Sequence, residues 1–509
     1  MTSHSSNNVE VWILGTGTAA LASALFLLKN NSLKPPNIHL LDSHSSVDQV
    51  LHYPGNSGTG YDQFAGCLPV PIGAPLRDLL SSIPSSQNSR ISIFEEINNR
   101  QQQRYPVNHN QRTCFVIQKN DSLEQISTDH LNLSIRQRLK LLSFMLKSED
   151  SLGRSQIREH FSKNFFQSVF WAVWSAQFCF QPWHSATEFQ TSLNQYLHEF
   201  QGLSILNCLD ITGYYQHECI FLPIYHYLRS LGVDYLFNAK VKEISFVNVG
   251  NDLKPQRLSF SHCEHIVTKN LGPNDFLIAA LGSTVSGSQT GTNSQPPQWN
   301  SIWSNDNLND NWSLWLELGN KDRTFGDPYN FCVRQSESML ESFTITTEDS
   351  VLFQNFQVIT QHKSQAGAFI SLQESSWKLV LCVPLQPVFA DQPGNVRVLW
   401  GFANCPDRRG NYISKPMLQC SGSEILTEVC GHLGLTHEPA RHRTITIPRV
   451  MPRMSAAYLT RQSSDRPCTK PKATSNLGLI GQFVDLPPYT AVDLSYGIRT
   501  AETAVSQLL

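Results

Sequence analysis

Residues Val11–Leu28 read VWILGTGTAALASALFLL. Four apolar, strand-forming residues meet a turn carrying Gly15 and Gly17, and an apolar helix-like run follows. Such a turn lets backbone N–H groups close on a pyrophosphate, and the start of the helix adds a favourable dipole. Further on, Asn37–Asp42 (NIHLLD) reads as a second strand ending in an acid, where a ribose hydroxyl needs an acceptor. Ala20 stands where the third glycine of GxGxxG would be, and alanine is still small enough for close helix–strand packing. The stretch predicts a dinucleotide-binding βαβ unit; the alternative is an ordinary βαβ unit whose glycine turn holds no ligand.

At 509 residues the chain is long enough for two to four domains and a large core. Hydrophobic residues make up 40% and charged residues 16%, the balance of a globular protein with a weakly charged surface. A formal net charge of −2 and the lack of a dense basic run argue against nucleic acid as a partner. No apolar stretch is long enough for a transmembrane span. The N-terminus, MTSHSSNNVE, lacks the pattern of a secretory signal. None of the 12 cysteines forms a CxxC pair, so reduced thiols and a cytoplasmic location are expected, with no metal site.

Pro84–Arg112, rich in Ser, Asn and Gln, reads as an exposed insertion with little regular structure. Leucines recur at helical spacing from Leu131 to Leu146. Phe165–Phe180 is packed with aromatic residues; plain core and the wall of an apolar cavity are both open readings. Val233–Lys240 and Lys242–Val247 read as strand–turn–strand, and Asp275–Leu281 as a buried strand ending at Gly282-Ser283. Trp312–Leu318, Ser342–Thr347, Trp377–Val383 and Val396–Phe402 look β-rich and predict a second, mostly antiparallel sheet. Asn476–Gln482 reads as a strand and Ser495–Leu508 as a closing helix. The expected architecture is α/β: a discontinuous Rossmann-like nucleotide-binding domain with an inserted α+β substrate domain. Its segments are 1–150, 231–290 and 441–509 for nucleotide binding, 151–230 for an aromatic-rich helical region and 291–440 for the β-rich domain.

Several strings resemble the oleate hydratase family, also called the myosin-cross-reactive antigens. They are GTGTAALASALFLL, IHLLDS, DLLSSIP (Asp78–Pro84), FQPWHSATEF (Phe180–Phe189), Tyr214-Tyr215-Gln216, FGDPYNFC (Phe325–Cys332) and ESFTIT (Glu341–Thr346). The series continues through PDRRGNYISKPM (to Met417), DRP (Asp465–Pro467), NLGLIGQFVDLP and YGIRTAETAV, in order along nearly the whole chain. The resemblance implies FAD in the Rossmann-like domain and an unsaturated fatty acid, of oleate or linoleate type, beside it. Water would add across a cis double bond to give a hydroxy fatty acid, without consumption of the flavin; a homodimer is a further expectation. This chemistry needs an acid to protonate the alkene and a base to direct water.

By resemblance, FAD contacts fall at Gly15, Gly17, Ala20, Asp42, Gly66, Gly282, Ser283, Gly481, Gln482, Phe483 and Val484. The family's proton-donating tyrosine lies in the segment matched by Thr212–Glu218, which makes Tyr214, Tyr215 and the neighbouring His217 the catalytic candidates. Trp183, His184 and Gln386 are candidates for substrate binding, with Arg453 a further polar partner. The chain departs from the family at three places. Val47–Leu51 (VDQVL) lacks a second glycine pair. The catalytic loop reads Phe64-Ala65-Gly66-Cys67-Leu68-Pro69, without its arginines and with Leu68 at the position of the water-activating glutamate. Cys382–Val388 (CVPLQPV) keeps only Gln386 and Pro387 of a run that holds the carboxylate. A flavoprotein with a changed reaction (an isomerase or specialised-metabolite enzyme) and a non-catalytic lipid- or flavin-binding relative are the alternative readings.

Overall fold

The computed structural model describes residues 9–29, 33–46, 55–62, 75–85, 88–104, 114–119, 122–126, 133–201, 220–298, 300, 308–348, 353–354, 358, 368–384, 386–435, 443–491 and 494–509. Tyr214, Tyr215, His217, Gly66 and Leu68 lie outside these residues.

A five-stranded sheet runs in the order Leu477–Ile480, Phe276–Ala280, Val11–Leu14, Ile38–Leu41, Asp234–Leu236, with every pair parallel. Parallel sheets are covered on both faces, so their strands read as unbroken apolar runs. Val11–Leu14 is such a run and alternates between two cores. Val11 and Ile13 pack with the helices Thr18–Lys29 and Leu494–Leu508, while Trp12 and Leu14 join the large central core. The first and last helices therefore lie together on one face, with the Ala19 methyl close enough to Gly497 to touch a side chain placed there. A three-stranded antiparallel sheet, Ala239–Val249, Asp252–His262 and His265–Asn270, lies on the other side. Its Phe260 and the ring of His39 both contact Trp12, His39 stacking at 4.2 Å.

The second large sheet has eight strands, in the order Gln289–Thr290, Thr444–Met451, Leu340–Thr347, Arg397–Ala403, Leu379–Val383, Ala368–Leu372, Cys114–Lys119, Ser122–Gln125. It is antiparallel except where Cys114–Lys119 pairs parallel to Ala368–Leu372. Three of its elements come from segments that the sequence assigns to nucleotide binding: the hairpin of Cys114–Lys119 with Ser122–Gln125, the strand Gln289–Thr290 and the strand Thr444–Met451. Strand partners distant in the chain are chosen by tertiary packing, and local pattern carries no register between them. One face buries Phe343, Ile345, Leu381 and Leu399 beneath the helix Gly422–His432. The other carries Leu340, Trp400 and Phe402 into the central core.

Other expectations are revised. Trp312–Leu318 is helix, within Asp310–Lys321, and its Trp312, Trp315 and Leu318 are fully buried at helical spacing. Aromatic content suggested strand, but the three-and-four-residue period decides. Within Pro84–Arg112, Ile93–Arg104 is helical and buries Ile93 and Ile97, two apolar residues one turn apart in a polar run. Cys382 is disulfide-bonded, against the expectation of reduced thiols, whereas Cys179, Cys332, Cys405 and Cys420 are free.

Candidate functional site: a nucleotide cleft and a packed joint

The turn after Val11–Leu14 has the backbone that its glycines allow. Gly15 has φ +111°, a conformation open to glycine, and its N–H donates to the Leu41 carbonyl at 2.8 Å, tying the turn to the second strand. Gly17 starts the helix, its carbonyl accepting from the Leu21 N–H at 3.0 Å. A Cβ built at Gly17 meets none of the described residues within 4 Å. The start of the helix thus lies at the turn, where a phosphate would be held by first-turn N–H groups.

Asp42, at the end of the second strand, is held from three directions. The Thr16 hydroxyl donates to Oδ2 at 2.6 Å, and the His44 N–H and ring Nδ1 reach Oδ1 at 2.9 and 2.6 Å. Burial works to raise the Asp42 carboxyl, but these hydrogen bonds outweigh it and hold the group below its usual range. The same contact raises His44, against the opposing effect of its own partial burial. Leu14, Gly15, Leu41 and Asp42 open on a small cleft whose other walls include Val241 and Asp310.

One wall was not legible as such. Asn309, Asp310 and Asn311 line the cleft at the start of the Asp310–Lys321 helix, capped by the Asn309 side chain on the Trp312 N–H at 3.2 Å. Asp310 Oδ1 pairs with Lys240 at 2.8 Å, while its buried Oδ2 has no hydrogen-bond partner among the described residues. Asn309 before a periodic run is an N-cap signal, but reading the run as strand hid it. The open space at Gly17, the acceptor Asp42 and the orphaned oxygen of Asp310 fit the adenosine and pyrophosphate parts of a dinucleotide. Ala20 is buried in the helix that packs the turn to the sheet.

The candidates at the far edge form a different surrounding. A Cβ at Gly282 (φ +61°) would lie 2.6 Å from the Phe483 ring. That ring is buried against Trp312, Trp315 and Phe331, with centroids 4.7, 5.6 and 5.6 Å away. The Ser283 carbonyl accepts from the Trp312 indole at 2.9 Å. Gly481 donates its N–H to Thr500 at 3.0 Å, Gln482 accepts from the Thr284 hydroxyl at 3.2 Å, and the Val484 carbonyl accepts from the Tyr496 hydroxyl at 2.6 Å. These residues form a packed joint between the sheet edge and the tryptophan helix.

The substrate candidates are also committed to protein partners. His184 is fully buried; its Nδ1 accepts the Gln181 N–H at 3.0 Å, so the ring proton sits on Nε2, 3.3 Å from the Glu337 carbonyl. Burial pushes this imidazole down to about 3, and it stays neutral. Trp183 donates to the same carbonyl at 2.9 Å. The Gln386 amide donates to Pro384 and Val398 carbonyls at 3.0 and 2.7 Å and accepts the Val398 N–H at 3.0 Å. Buried Arg453 donates to the Cys332 carbonyl at 3.1 Å. Phe165, Phe170, Trp174 and Phe178 are buried in ring-to-ring contact with one another and with Phe189, the packing of a core.

A buried charge cluster joins the helical region to the C-terminal segment. Glu188, in the Ala186–Gln201 helix, accepts from Arg461 at 2.9 Å and pairs with Arg466 at 3.2 Å, and Arg461 also reaches Asp485 at 3.4 Å. Nothing local in the sequence predicts this cluster. Among the described residues no group of three or more His, Cys, Asp or Glu could hold a metal ion, and no helix is long and apolar enough to cross a membrane.

Two solved structures share the fold. An oxidoreductase from Methanosarcina mazei superposes with a TM-score of 0.51 at 11% identity, covering 97% of this chain and 100% of that one. Putrescine oxidase bound to putrescine gives 0.52 at 9% identity, covering 98% of each chain. At such identities the likeness is one of fold, and it agrees with the α/β, Rossmann-like architecture. Two relatives are similar in sequence. An oleate hydratase of Streptococcus pyogenes serotype M49 (strain NZ131) is 27% identical over 523 residues, 98% of this chain and 85% of that protein. A linoleate hydratase of Lactiplantibacillus plantarum is 25% identical over 535 residues, 97% of this chain and 92% of that protein. A family model described as the MCRA family matches residues 8–506. That match takes in the glycine turn, the cleft, both large sheets and the closing helix, and the chain belongs to the MCRA family.

Proposed function

We propose that this protein is an FAD-dependent hydratase that adds water across a cis double bond of an unsaturated fatty acid, of oleate or linoleate type. The observation that carries the reading is the pairing of a cleft at the Gly15 turn and Asp42 with whole-length similarity to two fatty acid hydratases. Gly15, Gly17 and Asp42 would hold the pyrophosphate and ribose of FAD, with Asp310 as a second acceptor. FAD, which hydration does not consume, supplies a fixed electrostatic surface beside the alkene when bound.

In the reaction, a proton joins one alkene carbon, water oxygen joins the other, and that water then gives up a proton, so the balance is one water added. We assign the proton-donating role to Tyr214 or Tyr215, with His217 the neighbouring group able to titrate near neutral pH. Leu68 cannot accept a proton, so the water must be directed by another group. The fatty chain would gain about 0.8 kcal/mol per buried CH₂. Its carboxylate needs an anchor other than Gln386, whose amide is already satisfied.

That engaged amide, together with Leu68, favours a second reading: a flavoprotein of the same fold that isomerises or otherwise alters another alkene. One experiment separates the two. Purified protein with reduced FAD is incubated with oleate and linoleate in ¹⁸O-labelled water, and products are weighed by mass spectrometry. A product heavier by one labelled water is expected; bound FAD without product would move the assignment to the changed reaction. Loss of both product and flavin would leave a non-catalytic relative.

A further inference from the structure

We propose that the His44 side chain is a gate on the nucleotide cleft: it occupies the acceptor that a ribose needs, and it must swing away before FAD can be held there. This deepens the FAD reading of the cleft and rests on it. A carboxylate offers about four lone-pair positions. At Asp42 three are taken, by the Thr16 hydroxyl on Oδ2 at 2.6 Å and by the His44 N–H and ring Nδ1 on Oδ1 at 2.9 and 2.6 Å. A ribose diol brings two hydroxyls to the single position left. One of the present partners has to leave.

Their surroundings decide which one. The His44 N–H is backbone, and the His44 carbonyl is tied down by the Asn238 N–H at 2.8 Å. Thr16 is buried. The His44 side chain lines the cleft and is 46% exposed, and among the described residues Asp42 is its ring's one hydrogen-bond partner. A change of rotamer takes the ring to solvent without moving the chain. Charge sets when it leaves. The described charged groups facing the ring are Asp42, at the end of the second strand, and Asp310, at the start of its helix and held by Lys240 at 2.8 Å. The hydrogen bond to Asp42 raises the ring's pKa, partial burial opposes it, and the charges of Asp42 and Asp310 add to the rise. A protonated ring makes a charge-assisted bond that a neutral hydroxyl displaces poorly. A neutral ring offers Asp42 an ordinary hydrogen bond and exchanges with the ribose. The gate therefore closes in acid and opens as pH climbs through the raised value, with a proton released as FAD binds.

The test is FAD binding to the full-length apoprotein, followed by flavin fluorescence between about pH 6 and about pH 8. The proton balance is read by calorimetry in two buffers of different ionisation enthalpy. Kd should fall severalfold as pH rises, by at most about tenfold per pH unit because one proton is linked, and binding should release protons. His44→Ala should bind at the acid end as tightly as the wild-type protein does at the basic end, with a flat profile and no linked proton. Its melting temperature at the basic end is the control for folding. A wild-type profile without slope, or the same slope in His44→Ala, overturns the gate. So does a Kd that rises with pH, which would put the imidazolium on the pyrophosphate instead. Asp42→Asn should weaken binding at every pH; unchanged affinity there would remove the acceptor and the gate together. Wild-type protein that binds no FAD at any pH would sink the cofactor reading itself, whereas pH-independent binding sinks the gate alone.

Discussion

Two glycine turns lie at the ends of neighbouring strands in the same parallel sheet, and they have opposite surroundings. At Gly17 a Cβ would meet none of the described residues within 4 Å. At Gly282 it would strike the Phe483 ring at 2.6 Å. Both glycines follow an apolar strand, yet one leaves room for a ligand and the other makes room for an aromatic ring. Glycine at a strand end marks a close approach; only the neighbouring element decides what approaches.

The largest effect should come from emptying the packed side. Phe483→Ala removes a ring that is 1% exposed and touches three other aromatic side chains. It should cost about 3–5 kcal/mol, read as a lowered denaturation midpoint. Gly282→Ala overfills the same joint at a positive φ and should cost about 2–3 kcal/mol by the same measurement. If either variant lost flavin affinity with no change in stability, the joint would be a cofactor contact after all.

Gly17→Ala should behave in the opposite way. Its stability should stay within about 0.5 kcal/mol of the parent, because no atom is displaced. FAD affinity, followed by flavin fluorescence, should fall about tenfold, equivalent to about 1.4 kcal/mol, since the methyl would crowd a pyrophosphate bound at this turn as proposed. An unchanged affinity would break the contrast and leave an ordinary βαβ turn.

The smallest effect concerns the Asp42–His44 pair. Asp42 is held low, so its contribution is present above its unfolded pKa near 3.8 and lost as acid protonates the folded carboxylate. His44 is raised, so its contribution is present below its unfolded value near 6.5 and lost as pH climbs through the folded value. Melting temperature should therefore decline slightly above pH 6.5, and His44→Gln should flatten that slope. An equal slope in the variant would remove His44 from the account.

Much of the nucleotide half was open to reading from local pattern. VWIL, the glycine turn and IHLLD carry their structure within short spans, since period, turn chemistry and capping act over a few residues. The aromatic run from Phe165 read both as core and as cavity wall, and ring-to-ring packing places it in the core. At Trp312–Leu318 aromatic composition points to strand and the three-and-four-residue period to helix, and the Asp310 wall of the cleft depends on that helix.

What the sequence by itself determined is the parallel α/β core, its glycine turn and acid, and the family to which they belong. Tertiary structure alone decided that the 114–125 hairpin joins the large sheet. It also decided that Gln386 and His184 are saturated by backbone partners, and that Glu188 gathers Arg461 and Arg466 from the far end of the chain. The physical reason is range. Backbone propensity and helix capping are satisfied by near neighbours, whereas strand register, buried charge pairing and free space at a glycine depend on what distant segments bring.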